Sequence, residues 1–437
     1  MFHPDVIAES QDRVERALGD AIPGGRLRRT PHDECWALRD QLADAVDVKG
    51  HPKRDLTAAE QTFITHERLL ATLDYRYWSE RWAMVAKETQ DAEPLVPRWE
   101  SQNLFLATIA HYEQQYRDTG HPDGILLNVL KARQLGISTE TEVILAHRVT
   151  TQTTVRGLVA ADVPEQSSYL LGMAETVIDA LPWWLKPSAT PPTNKGSIFS
   201  FETGSSLRVA AGKSQRGGLQ DRGGTKGNIG RGKTWGILHL SELSTWERPE
   251  QIDDGLLPGV PRRPRTFGVL ESTAKGRYDW WHHQWLNTDR GLTRFFNVFI
   301  PWYIEPDKYW EVAPDGWAPN PTTKEHMDKV ERSSAKYLLG RTHRLSREQA
   351  YWYERNHALY DEKDRLHVFY EEYPATAEDA FQHAGRSIFS VKTREKLAQQ
   401  AKQPIDVLFV EPAKDIATLK AWERDQAAGG GLTHKVI

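Results

Sequence analysis

Apolar and polar positions change period along this chain. Through the first hundred residues the pattern reads as helical, with helices expected near 5–17, 33–46, 56–70 and 73–90. Breaks fall at Pro23-Gly24-Gly25 and Gly50-His51-Pro52. A further helix is expected over 99–117, ending before Gly120 and Pro122. From residue 125 short apolar runs take over: Ile125–Leu130, Val155–Ala160, Trp235–Leu240, Thr266–Leu270 and Phe295–Ile300. Such runs read as strands buried on both faces. Helical patterns separate them, from Thr139 to Arg148, over 165–181 and from Tyr278, while 197–201 and 207–211 pair as a hairpin. Alternation of this kind predicts an α/β fold with a mostly parallel sheet and helices on both faces. Beyond Pro301 the chain becomes helical and polar again, near 323–338, 346–363 and 391–403.

The implied division is a helical region over 1–95, an α/β core over 96–310, a helical lid over 311–390 and a linker over 391–437. Composition is that of a folded chain, with 39% hydrophobic and 27% charged residues. Cys35 stands alone, which excludes an internal disulfide and a cysteine-rich zinc site. No apolar run reaches the roughly 20 residues that span a bilayer. WWHHQW holds His282 and His283 at adjacent positions, which do not share a helix face, so they make no metal pair. H-E-x-x-H and G-x-S-x-G are both absent from the sequence.

Two segments qualify as phosphate loops. Gly227–Thr234 matches G-x-x-x-x-G-K-[ST] letter for letter. Its context is wrong, because a glycine-rich stretch precedes it and a strand pattern, not a helix, follows. The segment Lys131-Ala132-Arg133-Gln134-Leu135-Gly136-Ile137-Ser138-Thr139 has the reverse profile. Strand, loop and helix come in the right order, but Ile137 stands where the motif has lysine, and Lys131 stands in place of the first glycine. Lys131 can still offer its ammonium to the β- and γ-phosphates, Arg133 a second cation, and Ser138 a hydroxyl for Mg²⁺. The strand Trp235–Leu240 then ends in Ser241-Glu242, leaving Glu242 as general base without the usual aspartate before it. Thr266–Leu270 ends in Glu271-Ser272-Thr273. All three endings lie at strand C-termini, where open α/β sheets bind ligands.

The ordered set LKARQLGIST, LHLSELSTW and ESTAKG resembles the large subunit of tailed-bacteriophage DNA-packaging terminases, with a deviant Walker A, a Ser-Glu Walker B and a coupling motif. PRWESQNLFLATI, FNVFIPWYIEPDKY and EEYPATAEDAF resemble further stretches of that family, so the likeness runs from about residue 56 to about 390. The resemblance implies a P-loop ATPase that uses ATP and Mg²⁺ to translocate double-stranded DNA. It implies nucleotide contacts from Gln102 and from Lys131 through Thr139. Metal contacts come from Ser138 directly and from Glu242 through water. Catalysis falls to Glu242, Arg133 and a trans-acting Arg231, and coupling to Glu271, Ser272 and Thr273. Portal protein, a small terminase subunit and a homo-oligomeric ring in the host cell cytoplasm are the implied partners and setting. Members usually carry a nuclease domain as well. Only 48 residues follow Phe389, so nuclease activity is not expected of this chain. A non-catalytic DNA-binding scaffold and a helicase-like remodelling ATPase are the alternatives that the missing lysine and aspartate leave open.

A formal net charge of −4, from 56 basic and 60 acidic residues, argues against a uniformly nucleic-acid-coated surface. Locally the balance reverses. Residues 208–233 hold seven cations against Asp221 alone. Lys213, Arg216, Arg222 and Lys226 in that stretch, with Arg262 and Arg263 before the third strand, are the candidate DNA contacts.

Overall fold

The computed structural model describes residues 32–47, 52–86, 92–121, 123–190, 198–211, 232–277 and 279–383. Helices expected over 5–17 and 391–403 lie outside the described residues, as do Lys213, Arg216, Arg222, Lys226 and Arg231.

Three helices open the described chain: α1 (His32–Ala43), α2 (Ala58–Leu73) and α3 (Tyr75–Trp82). A capping box starts α2, in which the Thr57 hydroxyl takes the Glu60 N–H and the Glu60 carboxylate takes the Thr57 N–H at 2.8 Å. The single helix expected over 73–90 is divided. Asp74 leaves helical geometry, closes α2, and caps α3 by accepting the Tyr77 N–H at 2.9 Å. Ala83 then turns extended, and an antiparallel pair follows, β1 (Met84–Ala86) with β2 (Ala92–Pro94). Next comes α4 (Glu100–Thr119), ended by Gly120 in the left-handed conformation.

The core then alternates as the apolar runs predict: β3 (Ile125–Lys131), α5 (Ile137–Thr151), β4 (Arg156–Ala161) and α6 (Pro164–Ala180). β5 (Ala189–Thr190), β6 (Ile198–Phe201), β7 (Ser206–Ala211), β8 (Ile237–Ser241) and β9 (Phe267–Ser272) follow, and α7 (Trp280–Asp289) leads to β10 (Phe296–Ile300). Eight strands form one sheet in the order β10-β3-β9-β8-β4-β7-β6-β5. Pairing is parallel from β10 to β7 and antiparallel at the β7-β6-β5 edge, where the expected hairpin sits.

Side chains of the central strands alternate between two cores. Ile125, Leu127 and Val129 join one with α1 to α6, whereas Leu126 and Leu130 join the other with Trp246, Trp281 and Trp285. Both faces are therefore covered, which is why β3, β8 and β9 are buried at every position. The N-terminal helices share the first core with β3. After β10 come α8 (Pro321–Tyr337), α9 (Arg347–Glu362), α10 (Leu366–Glu372) and α11 (Ala377–His383). They are anchored by Trp302 and Tyr303, both fully buried, and by Gln349, which donates to the Tyr303 carbonyl at 2.9 Å.

Candidate functional site

Strand order sets the location of the site. From β3 the chain crosses through α5 to β4, returns through β8 to β9 beside β3, and then places β10 on the opposite flank of β3. The order thus reverses at β3, and the crevice beyond its C-terminal end is the topological switch point. Lys131, Ser241 with Glu242, and Ser272 with Thr273 all fall there, at the ends of β3, β8 and β9.

The loop after β3 is tightly built. Gln134 and Gly136 adopt left-handed backbone conformations, with φ of 53° and 67°. Gly136 caps α5 without a side-chain hydrogen bond, so among the described residues no side-chain cap takes the first-turn amides of α5 from an anion. Neighbouring segments clamp the loop. Ser101 donates to the Leu135 carbonyl at 2.8 Å, Ala132 N–H to the Ile300 carbonyl at 2.9 Å, and Arg133 N–H to the Glu372 carbonyl at 3.0 Å. The Tyr309 hydroxyl donates to the Arg133 carbonyl. Gln102 lies against the loop, accepting the Trp99 N–H and donating to the Gly136 carbonyl at 3.2 Å. Ile137 is buried as the first residue of α5.

Beneath the loop sits a buried charge cluster. Glu271 Oε1 accepts from Ser138 at 2.5 Å, Ser241 at 3.1 Å and His239 Nε2 at 3.1 Å. Lys131 Nζ stands 3.9 Å from Glu271 Oε2, and Oε2 itself has no hydrogen bond among the described residues. His239 Nδ1 meets Glu142 Oε1 at 2.5 Å, so the ring donates to a carboxylate on each side. Burial opposes charge on His239, but the bonds to Glu142 and Glu271 outweigh it and hold the imidazolium up to about 9. Burial likewise disfavours the Glu271 carboxylate, yet Lys131, His239 and Ser138 together hold it down at about 2. Burial pushes the Glu142 carboxyl up, against His239. Motif reasoning passes over His239 and Glu142. Their signal in the sequence is a histidine inside the apolar run WGILHL and a glutamate on the inner face of a helix.

Glu242 follows directly, half-buried, with φ of 57°, a conformation uncommon for a residue bearing a side chain. Burial pushes its carboxyl up, Lys131 offsets this, and Glu271 adds to it. A carboxylate of raised basicity, aimed out of a strand end beside a cationic loop, is equipped to accept a proton from water. Ser272 bonds to Ser244, two residues beyond Glu242. Thr273 is buried beside it in sequence.

Other sequence candidates fall less centrally. Arg133 is exposed and its guanidinium pairs with Glu372 at 3.3 Å. The Thr139 hydroxyl contacts the Met173 sulfur at 4.0 Å. Arg262 is exposed and makes a two-pronged pair with Asp123, Nε to Oδ1 at 3.1 Å and Nη2 to Oδ2 at 2.8 Å. Arg263 is exposed. Of the second phosphate-loop match, only Gly232, Lys233 and Thr234 are described; they lead through Trp235 and Gly236 into β8, so no helix N-terminus follows them.

No family profile matches the chain, and no curated protein does. Among solved structures it is similar to the large terminase of bacteriophage HK97, at 10% identity over 77% of this chain and 54% of that one, with a TM-score of 0.34. It is similar to the large terminase of a thermophilic bacteriophage in complex with ADP, at 10% identity, 50% and 48% coverage and a TM-score of 0.30. A third is the large terminase ATPase domain of Thermus phage P74-26, at 16% identity, 41% and 77% coverage and a TM-score of 0.27. The matched region spans about half the length of the first two.

Proposed function

We propose that this chain is an ATP-hydrolysing motor that translocates double-stranded viral DNA into a procapsid. The observation that carries the reading is the assembly of Lys131, Ser138, Glu242 and Glu271 at one strand-end crevice beneath a helix N-terminus. The triphosphate of ATP lies along residues 131–139, drawn by Lys131 and the amides of α5. Gln102 and the exposed ring of Trp99 flank the loop on the side proposed for the base. Glu242 orients the attacking water and takes its proton.

Magnesium suits the donors present, because the Ser138 hydroxyl and the carboxylates around it are hard oxygen ligands and Glu271 Oε2 is buried with no hydrogen bond among the described residues. When bound, it neutralises charge on the triphosphate. Arg133, Thr139 and Arg231 are proposed as further phosphate contacts, Arg231 across a subunit boundary in a ring. DNA contacts are proposed for Lys213, Arg216, Arg222, Lys226, Arg262 and Arg263. Portal protein, a small terminase subunit and the host cytoplasm complete the proposed setting; among the described residues no helix is long and apolar enough to cross a membrane.

The test is ATP turnover by Glu242→Gln. Loss of a general base costs roughly a hundredfold or more, with nucleotide affinity retained. Turnover equal to wild type would overturn the assignment.

A further inference from the structure

One departure from the expected motifs faces a carboxylate across a strand boundary. Ser241 stands where an aspartate is expected, and Glu271 is the next-to-last residue of the adjacent strand β9. Ser241 and Glu271 are register partners on the parallel pair β8-β9. We propose that Glu271 is the acid of the magnesium shell, supplying from β9 the carboxylate that β8 lacks. The proposal rests on the site being a nucleotide site.

Four observations carry it. Ser138, the hydroxyl that the loop offers to the metal, bonds to Glu271 at 2.5 Å and to no other carboxylate among the described residues. Ser241 donates to the same oxygen at 3.1 Å, so the short side chain on β8 supports the carboxylate on β9. An aspartate at 241 would set a second negative charge against Glu271, with both side chains buried, a repulsion that serine avoids. The orientation of Glu271 is fixed from behind by His239, itself held by Glu142 on α5. That leaves Oε2, wholly buried and without a hydrogen bond among the described residues, near Lys131. Buried carboxylate oxygens are rarely left without a partner, and this one lies beside the hydroxyl and ammonium of the phosphate loop. Glu271 is thus placed to hold the metal shell, with His239 and Glu142 positioning it.

The experiment measures Mn²⁺ affinity by electron paramagnetic resonance, with the purified full chain and saturating ADP, beside ADP affinity in EDTA. Glu271→Gln is expected to weaken Mn²⁺ binding by about 10–100-fold while metal-free ADP affinity stays within about twofold. Undiminished Mn²⁺ affinity in Glu271→Gln would overturn the proposal. The swap Ser241→Asp with Glu271→Gln keeps one carboxylate in the cluster and is the control for folding. A folded swap that binds Mn²⁺ within about tenfold of wild type supports a carboxylate exchanged between strands, and a folded swap that binds none refutes it. If wild type itself binds no ADP, the nucleotide-site reading falls as well. If wild type binds ADP and Glu271→Gln keeps full Mn²⁺ affinity, only the role of Glu271 falls.

Discussion

The Ser272 hydroxyl holds Ser244 twice, accepting its backbone N–H at 3.1 Å and donating to its hydroxyl at 2.8 Å. Ser244 lies in the short 3₁₀ turn Leu243–Thr245, whose first flanking residue is Glu242. The end of β9 is therefore tied to the loop that presents the candidate base. Removing the Ser272 hydroxyl leaves the Ser244 N–H without its partner, a loss of about 1 kcal/mol or somewhat more. Glu242, already in an uncommon conformation, would then be free to relax. Ser272→Ala is expected to lower kcat for ATP roughly five- to tenfold while KM changes by less than about twofold. Steady-state kinetics decide it, and an unchanged kcat would remove Ser272 from the coupling path.

Much of this is legible in the letters. Apolar runs locate β3, β4, β8, β9 and β10 within one or two residues, because strands buried on both faces carry almost no polar positions. Strand-end chemistry also follows, since Lys131, Glu242 and Glu271 each close a run. The partnership of Ser241 with Glu271 does not follow, because it depends on which strands are neighbours, and β8 reaches β9 only after a 25-residue excursion (242–266). Nor does the role of His239, which needs α5 and β9 brought to either side of it. The division of the 73–90 helix is signalled by Asp74, a good N-cap residue, and is masked by the Tyr- and Trp-rich run that follows.

Gly136 carries the turn from loop to helix at φ 67°. A Cβ there would approach Gln102 Nε2 to 3.0 Å and the Trp99 ring to 3.2 Å. Both the left-handed backbone and the contact disfavour a side chain, together costing about 1–2 kcal/mol. Gly136→Ala is expected to lower the unfolding free energy by that amount and to weaken ADP binding, because Gln102 must move from the loop. Chemical denaturation and calorimetric titration measure the two effects. Wild-type values for both would show that neither strain nor Gln102 placement matters.

The two phosphate-loop candidates separate by a paired substitution. Lys131 is buried against Glu271, so Lys131→Ala removes a phosphate ligand and one of the cations beside a buried carboxylate that keeps His239, Ser138 and Ser241. Weakening a buried charged group in this way costs on the order of 1–3 kcal/mol of stability. Nucleotide affinity should fall tenfold or more, about 1.4 kcal/mol or more. Lys233 is exposed and leads into a strand. Lys233→Ala should leave ADP affinity within about twofold, about 0.4 kcal/mol. A large loss with Lys233→Ala and none with Lys131→Ala would transfer the site to Gly227–Thr234.

Acid sensitivity should come partly from the helices after β10. His326 is buried, stacked on Tyr353 with ring centroids 3.6 Å apart and near-parallel to Trp302 at 6.0 Å. Its Nε2 has no hydrogen-bond partner among the described residues. Burial pulls its pKa down to about 3, helped by the charges of Lys329 and His357. An unfolded histidine titrates near 6.5. Between these values the unfolded chain binds a proton that the folded chain refuses, so stability rises with pH across the window and is lost as pH falls below about 6.5. One such group contributes about 1.4 kcal/mol per pH unit. His326→Phe keeps a flat ring stacked on Tyr353 and removes the titrating nitrogen. Urea denaturation at several pH values from about 6 down to about 4.5 should therefore show a slope shallower than wild type by about one proton. An identical slope would mean that His326 takes up its proton inside the folded protein.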